Sequence, residues 1–258
     1  MKRFLPLLSL ALSACDILDK TPNDELFIQV SSGEKHSCAI DRDNHVQCWG
    51  QNFSGQASPP LGEFSQIAAG GSHTCGIKTN GYVTCWGADD SEQLTPPALQ
   101  LQQISAGASH TCGIDQNYYA HCWGNDEYGR SSDFNSEIQF RQITAGASHT
   151  CGITLHSNVI CWGDDSWDAT IPPEKRFVQL SAGSNYTCGI TTAGKIECWG
   201  NNDRRQCNSP SGSYYQVTAG ARHACAIDTD YNIVCWGDDD YGQTASSDEI
   251  SPWDGLFD

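Results

Sequence analysis

Basic residues are scarce in this chain of 258 residues. It has 14 lysines and arginines against 31 aspartates and glutamates, a formal charge of −17. Such a surface repels phosphate backbones, so nucleic acid is excluded as the expected partner. Apolar content is low as well. Only 38% of residues are hydrophobic and there is one methionine, which argues against a thick aliphatic core and against long helices. Catalytic signatures are missing: the chain has no G-x-S-x-G, no H-E-x-x-H and no phosphate loop. No enzyme is expected, and no cofactor or metal.

What the chain has in quantity is glycine (25 residues), cysteine (14) and tryptophan (8). Fourteen cysteines without metal-knuckle spacing place the protein in an oxidising compartment. The first residues agree. "MKRFLPLLSLALSAC" has Lys2 and Arg3, an apolar run from Phe4 to Leu12, and then small residues. The run is too short to span a bilayer and has the form of an export signal. Its end, Leu12-Ser13-Ala14-Cys15, resembles the bacterial lipobox. That resemblance implies cleavage before Cys15, a lipid on Cys15 and a place in the bacterial cell envelope, on the periplasmic or the outer surface. Ordinary signal cleavage with an incidental Cys15 is the alternative.

The remaining cysteines are periodic. Aligned on Trp-Gly, the repeat tryptophans are Trp49, Trp86, Trp123, Trp162, Trp199 and Trp236, spaced 37, 37, 39, 37 and 37 residues apart. Each follows a cysteine pair ten apart: Cys38/Cys48, Cys75/Cys85, Cys112/Cys122, Cys151/Cys161, Cys188/Cys198 and Cys225/Cys235. Each unit reads as three strands, exemplified by Phe64–Gly70, Ser72–Lys78 and Tyr82–Gly87, with Asn80-Gly81 as a hairpin turn. If the hairpin folds about Asn80, Cys75 faces Cys85, Ile77 faces Val83 and Thr74 faces Trp86. Alternation then places both thiols and the Ile/Val pair on one sheet face. Trp86 falls on the other face, over Thr74 and Gly76. Six disulfides, one per unit, are expected, each contributing roughly 2–3 kcal/mol.

Short antiparallel sheets at this period predict a β-propeller of six blades, with seven as the alternative. The expected organisation is a signal over 1–14, a linker over 15–25, the propeller over 26–248 and a tail over 249–258 that could wrap back to close the ring.

The pattern AG-x-x-HTCGI…G-x-V-x-CWG-x-N/D-x-x-x-GQ resembles the regulator-of-chromosome-condensation repeat. Its short period is similar to that of the bacterial type II β-lactamase inhibitor proteins. Both relatives are seven-bladed, and the paired cysteines are additional to their usual pattern. The resemblance implies a propeller that binds proteins and, as an alternative function, an inhibitor of a periplasmic or secreted enzyme such as a β-lactamase.

Strand direction puts the turn before each second strand and the exit after each Trp-Gly at one end of the blade. There the fifth residue after the repeat tryptophan reads Ser54, Ser91, Tyr128, Trp167, Arg204, Tyr241. Tyrosine, tryptophan and arginine are enriched at interface hot spots. With Phe53 they form the expected partner-binding set, inside a ring of Asp89, Asp90, Asp126, Glu127, Asp164, Asp165, Asp238, Asp239 and Asp240. A protein partner with apolar pockets and a basic rim would fit. The alternative is that each aromatic covers its own blade edge.

His36, His73, His110, His149 and His223 recur at one position where Tyr186 replaces the sixth. A tolerated tyrosine favours a structural hydrogen bond over a metal ring. Cys207 is left over, as a free thiol or an intermolecular bridge.

Overall fold

The computed structural model describes residues 26–132 and 137–245. The signal, Cys15, the linker and most of the segment after blade six lie outside them. Six three-stranded antiparallel sheets follow one another along the chain. Blade 1 comprises Phe27–Ser32, His36–Asp41 and Val46–Gly50; blade 2, Phe64–Ala69, His73–Lys78 and Val83–Gly87. Blade 3 comprises Leu101–Ala106, His110–Asp115 and Ala120–Gly124; blade 4, Phe140–Ala145, His149–Thr154 and Val159–Gly163. Blade 5 comprises Phe177–Ala182, Tyr186–Thr191 and Ile196–Gly200; blade 6, Tyr214–Ala219, His223–Asp228 and Ile233–Gly237. No α-helix occurs among the described residues.

The hairpin register is the expected one. Cys75 pairs with Cys85, Ile77 with Val83 and Thr74 with Trp86, and the other five hairpins repeat it. All six disulfides form: Cys38–Cys48, Cys75–Cys85, Cys112–Cys122, Cys151–Cys161, Cys188–Cys198 and Cys225–Cys235. Their Cα atoms are 4.0–4.1 Å apart. Such spacing belongs to the closer class of opposed residues in an antiparallel ladder, where side chains approach best.

In five of the six bridges the two halves are not equally buried, which the symmetric pairing did not foresee. Cys38, Cys75, Cys112, Cys151 and Cys188 lie on the middle strand of their sheets and are fully buried. Cys48, Cys85, Cys122, Cys161, Cys198 and Cys235 lie on the third strand, at the sheet edge, and are half-buried. Cys225, on the middle strand of blade 6, is half-buried too.

The turn residue after Asn80 needs a left-handed backbone, which Gly81 supplies at φ 86°. Asn44, Tyr118, Ser157 and Tyr231 hold that conformation at the equivalent place without glycine's freedom.

Each first strand carries a bulge that plain alternation does not foresee. Phe64 pairs with Lys78 and Gln66 with Ile77, so Ser65 is the extra residue. The bulge brings Phe64 and Ile67, three apart, to one face. It also changes what covers Gly76. A Cβ there would lie 2.5 Å from the Phe64 ring, so it is Phe64 and not Trp86 that sits over this glycine. Trp86 packs edge-on to Phe64 at 5.9 Å instead.

The cysteine face of each blade packs on the Phe/Ile/Trp face of the next. Cys38 and Ile40 of blade 1 meet Phe64, Ile67 and Trp86 of blade 2, with Cys48 packed at the margin. The same core recurs between blades 2 and 3, 3 and 4, 4 and 5, and 5 and 6. One disulfide thus lies in each of these shared cores, and each thin blade is completed only by its neighbour.

A candidate interaction rim

The exit after each Trp-Gly does lie beside the turn that precedes the second strand: Ala88 N–H donates to Ser72 O at 2.8 Å. The loop beyond is built by two local devices. The third residue after each repeat tryptophan is Asn or Asp, and its Oδ1 accepts the N–H five residues on. Asn52 accepts from Ala57 at 2.9 Å, Asp89 from Leu94 at 2.9 Å and Asp126 from Ser131 at 3.1 Å. Asp165 accepts from Thr170 at 3.3 Å, Asn202 from Cys207 at 2.9 Å and Asp239 from Thr244 at 2.9 Å. The Thr244 hydrogen bonds hold the Asp239 carboxyl below its ordinary range. The seventh residue, a glutamine in four loops, accepts from the N–H of the fifth: Ser54 to Gln56, Ser91 to Gln93, Arg204 to Gln206 and Tyr241 to Gln243, at 2.8–2.9 Å.

The seventh residue also locks the loop to the next blade. The Gln56 carbonyl accepts the Trp86 indole N–H at 3.0 Å and the Thr74 hydroxyl at 2.9 Å. Gln93, Arg130, Ala169 and Gln206 serve Trp123, Trp162, Trp199 and Trp236 likewise. The repeat tryptophans of blades 2 to 6 are therefore each held by the loop before them, whereas Trp49 of blade 1 is exposed.

These bonds divide the acidic ring. Asp89, Asp126, Asp165 and Asp239 are loop closers, interchangeable with Asn52 and Asn202, and Asp238 is buried. The fourth and fifth residues remain at the apex. Phe53 is 93% exposed and Tyr241 is 94% exposed, and Tyr128 and Trp167 are exposed as well. Asp90, Glu127 and Asp203 are exposed at the fourth position of their own loops, and Glu127 lies 3.4 Å from Arg130. Arg204 is paired, at 3.2 Å, with Asp240 of the next blade, which ties two loops together. Phe53, Tyr128, Trp167 and Tyr241 sit on different loops and do not touch one another; they form a rim of separate exposed side chains.

The histidine positions are structural. Nε2 of His36, His73, His110 and His149 lies 2.7–2.8 Å from the hydroxyl of Thr74, Thr111, Thr150 and Thr187 on the following blade. Thr74 and Thr150 donate their hydroxyl protons to carbonyls, so the imidazole must donate through Nε2–H. Each Nδ1 is buried without a partner, which fits a neutral ring. Burial lowers the pKa of His73 and His149 to about 4 and of His110 to about 3. Tyr186 obeys the same logic. Blade 6 has Ala224 where blades 2 to 5 have threonine, and the longer Tyr186 reaches past it to the carbonyl of His223.

Another set of inter-blade links was hidden by its ordinary composition. The carboxamide of Gln29 bonds both the N–H and the C=O of Ile67, at 3.0 Å each. Gln66, Gln103 and Gln142 do the same to Ile104, Ile143 and Leu180, and Gln179 accepts from Val217 N–H. Gln66, Gln103, Gln142 and Gln179 line a cavity of about 450 Å³ with Arg141 and Val178. The carboxamides of Gln66, Gln103 and Gln142 are engaged at both ends with the backbone of the next blade. No group of three His, Cys, Asp or Glu side chains converges among the described residues.

Cys207 is a free thiol, half-buried against the core between blades 5 and 6, and burial pushes its pKa up to about 12. A thiol so placed is a poor nucleophile and a poor bridge. In the folded, unreduced protein, iodoacetamide at pH 8 is expected to leave Cys207 unmodified over an hour, and to alkylate it fully once denaturant is added. Rapid labelling of the native protein would contradict its burial.

A model of the regulator of chromosome condensation (RCC1) repeat matches residues 27–56, 64–93, 102–130, 140–166, 177–206 and 215–243. Among curated proteins no sequence matches the chain. Among solved structures it is similar to the CRINKLY ectodomain of the receptor kinase ACR4 from Arabidopsis thaliana. That pair has a TM-score of 0.71 and 30% identity, over 84% of this chain and 83% of that one. The ectodomain of the receptor kinase CR4 from Physcomitrella patens is similar at TM-score 0.71 and 27% identity, over 83% of this chain and 62% of that one. Prp20p from Saccharomyces cerevisiae shares the fold at TM-score 0.72 and 16% identity, over 84% of this chain and 72% of that one.

Proposed function

Because this chain belongs to the regulator of chromosome condensation repeat family, with its repeats running from residue 27 to residue 243, we propose that it is a protein-interaction module that works outside the cytosol. The observation that carries this reading is the loop apex. Phe53 and Tyr241 are almost wholly exposed although every bond that shapes their loops is made beneath them. Burying such side chains against a partner contributes about 25 cal/mol per Å² of apolar surface, before the costs of association. Asp90 and Asp203, exposed at the fourth position of other loops, suit a partner whose rim is basic and steer its approach.

Three similar proteins support the class. Prp20p is described with binding to Gsp1p and histones, both of them proteins, and the similar plant domains are receptor ectodomains. The leader "MKRFLPLLSLALSAC" and the six disulfides favour an envelope location, with the disc held at the membrane by lipid on Cys15. The same rim would serve an inhibitor of an exported enzyme, and adding the protein to a β-lactamase assay tests that version directly.

A photo-crosslinking residue at position 53, 128 or 241 tests the rim in the source cell. The expected result is a discrete adduct from these sites and none from position 82 or 118, in the hairpin turns at the other end of the blades. Adducts from 82 and 118 alone would assign binding to the wrong end.

A further inference from the structure

The chain of inter-blade contacts has two loose ends. Among the described residues no blade precedes blade 1 or follows blade 6, and no apolar core joins the two. Val30 is 64% exposed where its equivalent Ile67 is 2% exposed. Ile233 is 53% exposed where its equivalent Ile196 is 6% exposed. The polar links stop as well. Gln216, Thr218 and His223 stand where Gln179, Ser181 and Tyr186 grip the following blade, and among the described residues their side chains have no partner there.

Blade 6 therefore presents the socket that the other five blades fill, and the filled ones define what it accepts. The occupant puts two apolar residues three apart on the Ile face: Phe64/Ile67, Leu101/Ile104, Phe140/Ile143, Phe177/Leu180 or Tyr214/Val217. Its second apolar residue offers a backbone N–H to the glutamine, as Val217 does to Gln179 at 3.0 Å. Two residues on, another N–H reaches the hydroxyl, as Ala219 does to Ser181 at 2.9 Å.

We propose that the C-terminal segment 246–258 of this same chain docks in the blade 6 socket as a lone seventh first strand. This rests on the fold and not on the rim reading. The segment contains Ile250 and Trp253, three apart, followed by Gly255 two residues on. Ile250 comes 14 residues after Trp236, against 15 from Trp49 to Phe64 or from Trp199 to Tyr214. Gln216 then meets the backbone of Trp253, Thr218 meets the N–H of Gly255, and Ile227 and Ile233 are covered. Pro252 takes the place of the glutamine and has no N–H; a strand without a second strand beside it loses no ladder bond there.

Charge agrees with this register. Ser148 and Asn185, eight residues after Phe140 and Phe177, bond across neighbouring blades at 2.7 Å. Eight residues after Tyr214 is Arg222, and eight after Ile250 is Asp258. The other candidate occupant is the blade 1 face of a second copy. It is disfavoured because each copy carries a charge of −17, whereas the segment is tethered directly after Ala245 and acts at an effective concentration of about millimolar.

Hydrogen exchange followed by mass spectrometry on the full chain, wild type against Ile250→Ser/Trp253→Ser, tests this. The expected result is at least tenfold faster exchange in residues 214–237 of the variant, with residues 73–87 unchanged. Arg222→Asp should speed the same region and Asp258→Arg should restore it in the double variant. Equal exchange in wild type and variant would overturn the proposal. So would protection of residues 27–32 and 214–237 that disappears together on dilution, because that outcome assigns the socket to a second copy.

Discussion

Unfolded in denaturant, reduced, and then returned to buffer without an oxidant, the protein is expected not to regain its sheet structure. The same treatment without reductant should return it in full. Closing a loop of this length contributes roughly 2–3 kcal/mol per bridge by chain entropy. Six such bridges together reach the whole margin of an ordinary domain, about 5–15 kcal/mol. The dependence is built into the packing. Cys38, Cys75, Cys112, Cys151 and Cys188 are fully buried in the cores between blades, so a reduced pair leaves two thiols where one staple filled the space. Reductant alone, with the fold intact, should act slowly for the same reason, and first at Cys225–Cys235, where both sulfurs belong to half-buried residues. A single double substitution, Cys112→Ser/Cys122→Ser, should lower stability by about 2–3 kcal/mol. Refolding of the fully reduced chain to a native circular-dichroism spectrum would show that the bridges decorate the fold without supporting it.

The second large effect is on pH. His73, His110 and His149 are neutral in the folded state, with pKa values lowered to about 4, 3 and 4, mainly by burial. In the unfolded chain they titrate near 6.5. The unfolded state therefore binds more protons between these values, and stability falls as pH drops below about 6.5. By pH 4.5 each histidine costs roughly 2–3 kcal/mol, so that the three approach the whole margin of a domain. Protonation of Asp115 and Asp164, whose carboxyls are held below the ordinary range by hydrogen bonds, removes further stability at lower pH still. Denaturant unfolding at pH 7.0 and pH 4.5 should show this loss. Blade 5 suggests the control. The paired exchange His110→Tyr/Thr150→Ala copies Tyr186 and Ala224, and should remove about a third of the pH dependence while keeping the fold. Equal stability at the two pH values would mean that the imidazoles are not held neutral.

Much of this architecture was legible in the residues because it is repeated six times. The ten-residue cysteine spacing and the Asn80-Gly81 turn together gave the hairpin register, since a slip by one residue would separate the thiols. The interface between blades was less legible. Gln66 and Gln103 read as unremarkable polar residues of a strand, yet their amides grip the next blade's backbone. Only their recurrence at one place in each repeat signalled a role. The bulge at Ser65 was invisible to a strict alternation of faces, and it is the reason Phe64 rather than Trp86 covers Gly76.

At the rim, sequence counting could not separate acids that close loops from acids that stand exposed at the apex, because both occur in the same four-residue stretch. The distinguishing sign was present: Asn52 and Asn202 stand at the place of Asp89 and Asp165. Asparagine is equivalent to aspartate as a hydrogen-bond acceptor for a loop but not as a charge. Cys207 lacked a partner in the count, but its half-buried place beneath blades 5 and 6 depends on packing that spacing does not reveal.

The account's central claim is that scaffold and binding surface are separable, the first carried by cores between blades and the second by four exposed side chains. The direct measurement is affinity for the protein captured at the rim, compared between wild type and Phe53→Ser/Tyr128→Ser/Trp167→Ser/Tyr241→Ser, beside the thermal midpoint of each. The account predicts at least a hundredfold weaker binding with midpoints within about 2 °C. Undiminished binding by the fourfold variant would contradict it.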